Sequence, residues 1–165
     1  MRRARSALLW AIAVSCSCGD DPHPREPSQV EAEVSDDIAT VVNVRWATGE
    51  PSIGYVEYGL SEKLELKTPL EKKEREQHAL QLLGLKPDHL YYYRVVTWDG
   101  DDAGASEIQT IRSGDLPVGM PRLELEGSGH DLLTLVPVLG RTTAVLVIDG
   151  DGEIVWYHTD DRDLD

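Results

Sequence analysis

Cysteine is nearly missing from this chain of 165 residues, phenylalanine is missing altogether, and positive charge is scarce. The two cysteines, Cys16 and Cys18, sit together near the start. The folded part therefore has no disulfide framework, and its stability must come from a packed core. Sixteen basic residues face thirty acidic ones, a formal charge of −14. A surface this acidic repels phosphate backbones, which argues against a nucleic-acid partner. No apolar run is long enough to cross a bilayer as a helix. There is no phosphate-cradling glycine loop, and no two histidines stand at ligand spacing. His23, His78, His89, His130 and His158 are all isolated, so zinc has little support.

What is present begins with "MRRARSALLWAIAVSCSC". A basic start, an apolar stretch over residues 7–14 and then small residues form the pattern of an export signal. Ala13-Val14-Ser15-Cys16 resembles a bacterial lipobox, in which the cysteine carries a lipid; Cys18 is the alternative. The expected location is the periplasm, outer membrane or cell surface, with a lipid anchor holding the protein to a membrane. An ordinary cleaved signal would leave it periplasmic or secreted. Setting aside Arg2, Arg3 and Arg5 leaves 13 basic against 30 acidic residues, a charge near −17. Residues 1–18 are thus the signal. Residues 19–29, "GDDPHPREPSQ", with three prolines and alternating charge, are a disordered linker.

From residue 30 to 113 short strands alternate with turns, the mark of a β-sandwich. In "IATVVNVRWAT", Val42, Val44 and Trp46 share one face. Glu50-Pro51-Ser52 is expected to turn the chain into "IGYVEYG", with Val56 and Tyr58 inward. "SEKLELKT" reads as a charged edge strand. Residues 69–77, "PLEKKEREQ", read as a loop, since they hold too little apolar surface for a packed helix. "HALQLLGL" resumes the pattern. In "LYYYRVVTW", Tyr91, Tyr93 and Val95 lie on one face and Tyr92, Arg94, Val96 and Trp98 on the other. "ASEIQTIRSG" returns as a last strand.

Leu85-Lys86-Pro87-Asp88-His89-Leu90-Tyr91, followed by Val95, resembles the Leu-x-Pro-x-Thr-x-Tyr…Val corner of fibronectin type III domains, with His89 in place of the threonine. The resemblance implies that Tyr91 is the corner tyrosine, its hydroxyl bonded to nearby backbone. It also places Trp46 in the core, with Tyr58, Tyr93 and Val95 as further structural residues. The variant "VEYG…H…L.GL.P…YYYRV" is similar to the N-terminal modules of secreted purple acid phosphatases and of bacterial arylsulfotransferases.

Residues 114–165 differ in composition. "HDLLTLVPV", "TAVLVID" and "EIVWYH" read as three strands, the last two joined by Asp149-Gly150-Asp151-Gly152. That tetrapeptide reads as a hairpin turn rather than a calcium loop: Glu153 comes too early and no helices flank it. The last two strands, "VIDGDGEIVWY", resemble the opening blade of the arylsulfotransferase propeller, with its pattern of two apolar residues, Asp-x-Asp-Gly-x, two apolar residues and Trp; no metal motif of a phosphatase follows the sandwich. The expected fold is all-β: a fibronectin type III-like β-sandwich followed by an incomplete β-propeller-like antiparallel segment. A single blade leaves apolar strands needing cover, from the rest of a propeller or another partner.

The resemblance implies the N-terminal module of an exported arylsulfotransferase-like protein, a family that moves a sulfuryl group between phenols through a histidine. No residue here matches that histidine, so no catalytic, cofactor-binding or metal-binding residue is assigned, and none of these groups is expected. Ser128, His130 and Asp131 in "EGSGHD" read as a loop rather than a triad. Two alternatives stand: a surface-tethered, non-catalytic binding or spacer lipoprotein, and the N-terminal domain of a purple acid phosphatase-like metallophosphoesterase. Tyr92 and Trp98, on the outward face, are candidate surface-contact residues.

Overall fold

The computed structural model describes residues 26–98, 103–123, 132–139 and 143–159. Cys16 and Cys18, most of the linker, the turn at 99–102 and the "EGSGHD" loop lie outside them. The described residues contain ten strands and no helix. Strands β1 (Ser28–Val34), β2 (Val42–Gly59), β3 (Leu66–Lys67), β4 (Arg75–Leu82), β5 (Leu90–Trp98), β6 (Ala103–Ala105) and β7 (Gln109–Arg112) form one continuous, curled hydrogen-bonded system. Strands β8 (Thr134–Val138), β9 (Ala144–Ile148) and β10 (Ile154–Thr159) form a separate antiparallel sheet with β9 at its centre. The architecture is all-β, a sandwich followed by a partial, propeller-like sheet.

Strand β2 belongs to both layers. Its first part pairs with β1 and β4, from Val42 opposite Leu82 to Ala47 opposite Gln77. Its second part pairs with β5, from Ile53 opposite Trp98 to Gly59 opposite Tyr92, and with β3. The register slips between Ala47 and Ser52, where extra residues on β2 oppose the start of β4. Here the structure departs from the turn expected at Glu50-Pro51-Ser52. The chain stays extended through a bulge, which bends one strand from the first layer into the second. Pro51, with no N–H to offer, sits where the ladder is already interrupted.

Other boundaries shift for similar reasons. The expected loop at 69–77 ends early, because β4 begins at Arg75 and pairs with Ser52. The charged edge strand shrinks to Leu66–Lys67. The expected last strand divides into β6 and β7 where the Ser106 hydroxyl accepts from the Val95 N–H at 3.0 Å. Strand β1, which sequence periodicity did not single out, pairs along β2.

Between the layers lie Val42, Val44, Trp46, Val56, Tyr58, Leu82, Leu85, Tyr91, Tyr93 and Val95, all buried. Trp46 crosses directly over Gly54: a Cβ on that glycine would stand 2.6 Å from Trp46 Cζ2 and 3.1 Å from the Val96 carbonyl oxygen. Absence of a side chain at 54 is what lets the indole lie flat.

The small sheet has its own core of Ala144, Leu146, Ile148, Ile154 and Tyr157, covered by Ile38, Ala39, Leu116, Met120 and Leu123. Ile38 and Ala39 come from the β1–β2 connection, so this core is shared with the sandwich. Three polar links reinforce it. The Ala39 N–H donates to the Tyr157 hydroxyl at 2.9 Å. The Gly114 N–H donates to the Ala39 carbonyl at 2.8 Å. Lys86 Nζ reaches Asp151 at 2.6 Å and Asp149 at 3.4 Å. The opposite face is open: Leu133, Leu135 and Leu139 are exposed, and Leu135, Val147 and Trp156 follow one another across the three strands.

Two measurements test this arrangement. Gly54→Ala forces backbone or indole to move, and overpacking of this kind costs about 1–3 kcal/mol; a urea midpoint equal to wild type would contradict the close approach. The lysine bridge has a definite pH signature. The hydrogen bond to Asp151 is the main cause that raises the Lys86 pKa, against some burial that lowers it. Its contribution is therefore complete below the ordinary lysine value and lost as pH rises through the raised one. The same hydrogen bond lowers the Asp151 pKa, so that contribution is lost as pH falls through the lowered value. The Tm difference between wild type and Lys86→Ala should be greatest between about pH 4 and pH 10 and shrink at both extremes. A pH-independent difference counts against the bridge.

Candidate functional site

The fibronectin-like corner is the first place where predicted residues meet. Tyr91 is buried on β5, and its hydroxyl accepts from the Lys86 N–H at 2.8 Å. The Ser113 hydroxyl donates to the Lys86 carbonyl at 2.6 Å and accepts from the His89 N–H at 3.0 Å, which closes the corner. The Tyr58 hydroxyl donates to the Leu83 carbonyl at 3.0 Å, and that of Tyr93 to Gln109 Oε1 at 2.7 Å. Burial pushes all three phenols above their ordinary range, so they stay neutral hydrogen-bonding groups across physiological pH. Trp46 and Val95 lie in the same core. Together these residues stabilise the sandwich; none is placed to act on a bound molecule.

A second cluster has no local signal in the sequence. His78 on β4 is buried, and its Nδ1 is hydrogen-bonded to Glu71 Oε2 at 2.6 Å. Its Nε2 faces the hydroxyls of Thr48 at 3.3 Å and Ser52 at 3.4 Å. Glu71 also accepts from the Gly54 N–H at 3.0 Å and lies 3.4 Å from Arg75 Nε. The imidazole stacks on Trp46 with ring centres 4.6 Å apart and planes within 3°. Serine, histidine and glutamate in this order have the connectivity of a hydrolytic triad. Ser52, however, is wholly buried, and its hydroxyl stands farther from the imidazole than a productive hydrogen bond requires. No reacting carbonyl can reach it. The cluster instead fastens residues 68–75 over the β2 bulge, with Glu71 satisfying the Gly54 backbone. Glu71 and His78 lie 19 and 26 positions from Ser52, too far apart for spacing to announce them. The one hint is that His78 shares the inward parity of Leu80 and Leu82.

The third feature is a groove of about 450 Å³ on the outer face of the second layer. Tyr55, Val96 and Trp98 form its floor, Lys67, Thr68, Pro69 and Leu70 one wall, and Ala103 the far side. Trp98 is 41 % exposed, high for an indole. Tyr92 is half-buried and lies six residues down the same strand, roughly 20 Å away by strand rise. Tyr92 and Trp98 therefore do not share a patch. The aromatic beside Trp98 is Tyr55: Ile53 opposes Trp98 and Tyr55 opposes Val96, which makes Tyr55 and Trp98 diagonal neighbours. Sequence periodicity put Trp98 outward and did not single out Tyr55; the β2–β5 register brings the two together.

The Asp-Gly-Asp-Gly stretch is a hairpin turn between β9 and β10. Asp149 Oδ1 accepts from the N–H groups of Asp151 and Glu153 at 3.0 and 2.9 Å, and Gly152 supplies a φ of 86°. Among the described residues, no three His, Cys, Asp or Glu side chains are grouped so as to hold a metal ion. Lys86 is the cation that the two aspartates hold.

A two-layer antiparallel sandwich with a tyrosine corner defines this part of the chain as a fibronectin type III-like module. Residues 27–113 match the family model described as "Purple acid Phosphatase, N-terminal domain", and the chain belongs to that family. No curated protein matches the chain. The match corrects the arylsulfotransferase resemblance and the transferase role drawn from it. That resemblance leaned on "IDGDGEIVWYH", and two apolar strands around a glycine-bearing turn need nothing beyond hairpin geometry to explain them.

One substitution separates a sealed structural cluster from a working one. Glu71→Leu leaves the His78 imidazole and the Gly54 N–H without their acceptor. Leaving buried donors without an acceptor costs about 1–3 kcal/mol each, readable by chemical denaturation. A loss below about 1 kcal/mol would mean that the cluster is wet and open.

Proposed function

We propose that this chain is the non-catalytic N-terminal sandwich module of a purple acid phosphatase-like protein, exported and held at a membrane by a lipid on Cys16. The observation that carries the reading is the family match: it runs from residue 27 to 113, and so spans the sandwich from its first strand to the end of β7. The chemistry of the cluster agrees. Its serine–histidine–glutamate set is sealed and committed to holding residues 68–75, and the corner hydroxyls are engaged with backbone and with Gln109. In this reading the sandwich contributes a rigid body and an outward recognition face, and a partner covers the open apolar face of β8.

Two experiments test it. The purified full chain, supplied with iron, zinc or manganese, should hydrolyse a chromogenic aryl phosphate no faster than the metal ion alone; saturable, metal-dependent turnover would overturn the non-catalytic assignment. Expressed in a bacterium fed labelled palmitate, the chain should take up label and the Cys16→Ser variant should lose it. Label retained in that variant and lost only with Cys18→Ser moves the anchor to Cys18, and no label in wild type removes the anchor.

A further inference from the structure

We propose that the groove over Tyr55 and Trp98 is a binding site for a neutral sugar ring. This goes beyond the phosphatase-module reading and does not depend on it, since the groove is defined by the β2–β5 register alone.

The floor is the starting point. Tyr55 and Trp98 stand diagonally across two paired strands, about 7 Å apart by general sheet geometry. Val96 fills the space between them, flush with the sheet and almost fully buried. On the neighbouring strand Ala103 opposes Trp98 and Ala105 opposes Val96, so among the described residues of that strand only alanines flank the shelf. The result is a flat apolar shelf, walled on one side by residues 67–70. A pyranose ring carries a face of polarised C–H bonds, which matches the electron-rich face of an indole or phenol ring. The volume of about 450 Å³ lies in the range of small-ligand sites.

Beside the shelf runs a polar row. Lys67 opposes Glu57 on one side, and Arg94 opposes it on the other, with Arg94 Nε 2.7 Å from Glu57 Oε2. Sugar hydroxyls both donate and accept, so they need donors and acceptors side by side, and this row supplies both. The charges also select the occupant. A cationic ligand would meet Lys67 on the wall. An anionic one would approach a chain carrying −14 and meet Glu57. A purely apolar ligand would desolvate the Lys67–Glu57–Arg94 row without replacing its hydrogen bonds. A neutral polyol with one apolar face satisfies both halves of the site.

The test is calorimetric titration of the full chain with cellopentaose, maltopentaose, chitopentaose and mannopentaose, and separately with a synthetic peptide of residues 19–29, the proline-bearing linker. At least one sugar should bind saturably, with one site per chain. Trp98→Ala should weaken that binding about tenfold or more, and Lys67→Ala by a smaller factor. Leu135→Ser, on the small sheet, should leave it unchanged. Trp98 is exposed, so its variant should melt close to wild type; if it does not fold, Tyr55→Ala and Lys67→Ala decide. Absence of binding by all four sugars, undiminished binding in the groove variants, or occupation of the groove by the peptide in place of sugar each overturns the proposal. The aryl phosphate assay has no bearing on any of these outcomes, so the two readings fail separately.

Discussion

The sandwich closes around one indole that touches both a glycine and an imidazole. A side chain on Gly54 would collide with Trp46, and His78 stacks on Trp46 with ring centres 4.6 Å apart. Gly54 lies on the far side of the bulge from Trp46 along the same strand, so the contact folds β2 back over itself and sets the angle between the layers. His78 in turn requires an acceptor at Nδ1 and hydroxyls at Nε2, because a buried imidazole with unmet partners is costly. Glu71, Thr48 and Ser52 meet those needs, and Glu71 also satisfies the Gly54 N–H. Apolar packing and most of the hydrogen bonding thus converge on the same few residues, with the buried Trp46 Nε1 and Glu71 Oε1 left without a hydrogen-bond partner among the described residues.

The same bend creates the outer surface. Once β2 has crossed, its residues 53, 55 and 57 face away from the core and lie beside the outward residues of β5. Tyr55 faces outward because Val56 and Tyr58 are buried; strand alternation leaves no other choice. The groove is therefore a by-product of the core's register. A one-residue slip of β2 against β5 would bury Tyr55 and expose Val56, erasing groove and core together.

Much of this was legible in the sequence, and the remainder was hidden for identifiable reasons. The alternation of residues 91 to 98 is plain because a half-buried strand repeats every two residues. The tyrosine corner is plain because its residues are consecutive. The β2 bulge was not, since Gly49, Glu50, Pro51 and Ser52 are as good a turn as they are a bulge, and composition does not separate the two. Arg75, Glu76 and Gln77 hid the start of β4 because an edge strand tolerates a polar outer face. The His78 cluster and the Tyr55–Trp98 pair depend on which strands are neighbours, information that no local pattern contains. The glycine-bearing hairpin invited a family assignment that the match over residues 27–113 reversed. A turn motif constrains backbone dihedrals, which many families share.

The small sheet and the sandwich meet at Ile38 and Ala39 and, through its bridge to two aspartates, at Lys86. The inner face of the sheet rests on Ile38 and Ala39, which lie in the connection that also carries the chain into β2. Tyr157 contributes more than apolar surface there; its hydroxyl accepts the Ala39 N–H, a backbone group that the sandwich leaves without a ladder partner. Gly114, at the exit of β7, returns a hydrogen bond to the carbonyl of the same Ala39. Both backbone groups of Ala39 are thus satisfied by residues C-terminal to the sandwich. Removing the small sheet would leave a donor at Ala39 and an apolar patch at Ile38 to be met by water. The boundary at residue 113 is therefore a boundary of sequence family, and the physical unit extends past it, through the corner residue Lys86 and its two aspartates, into the hairpin.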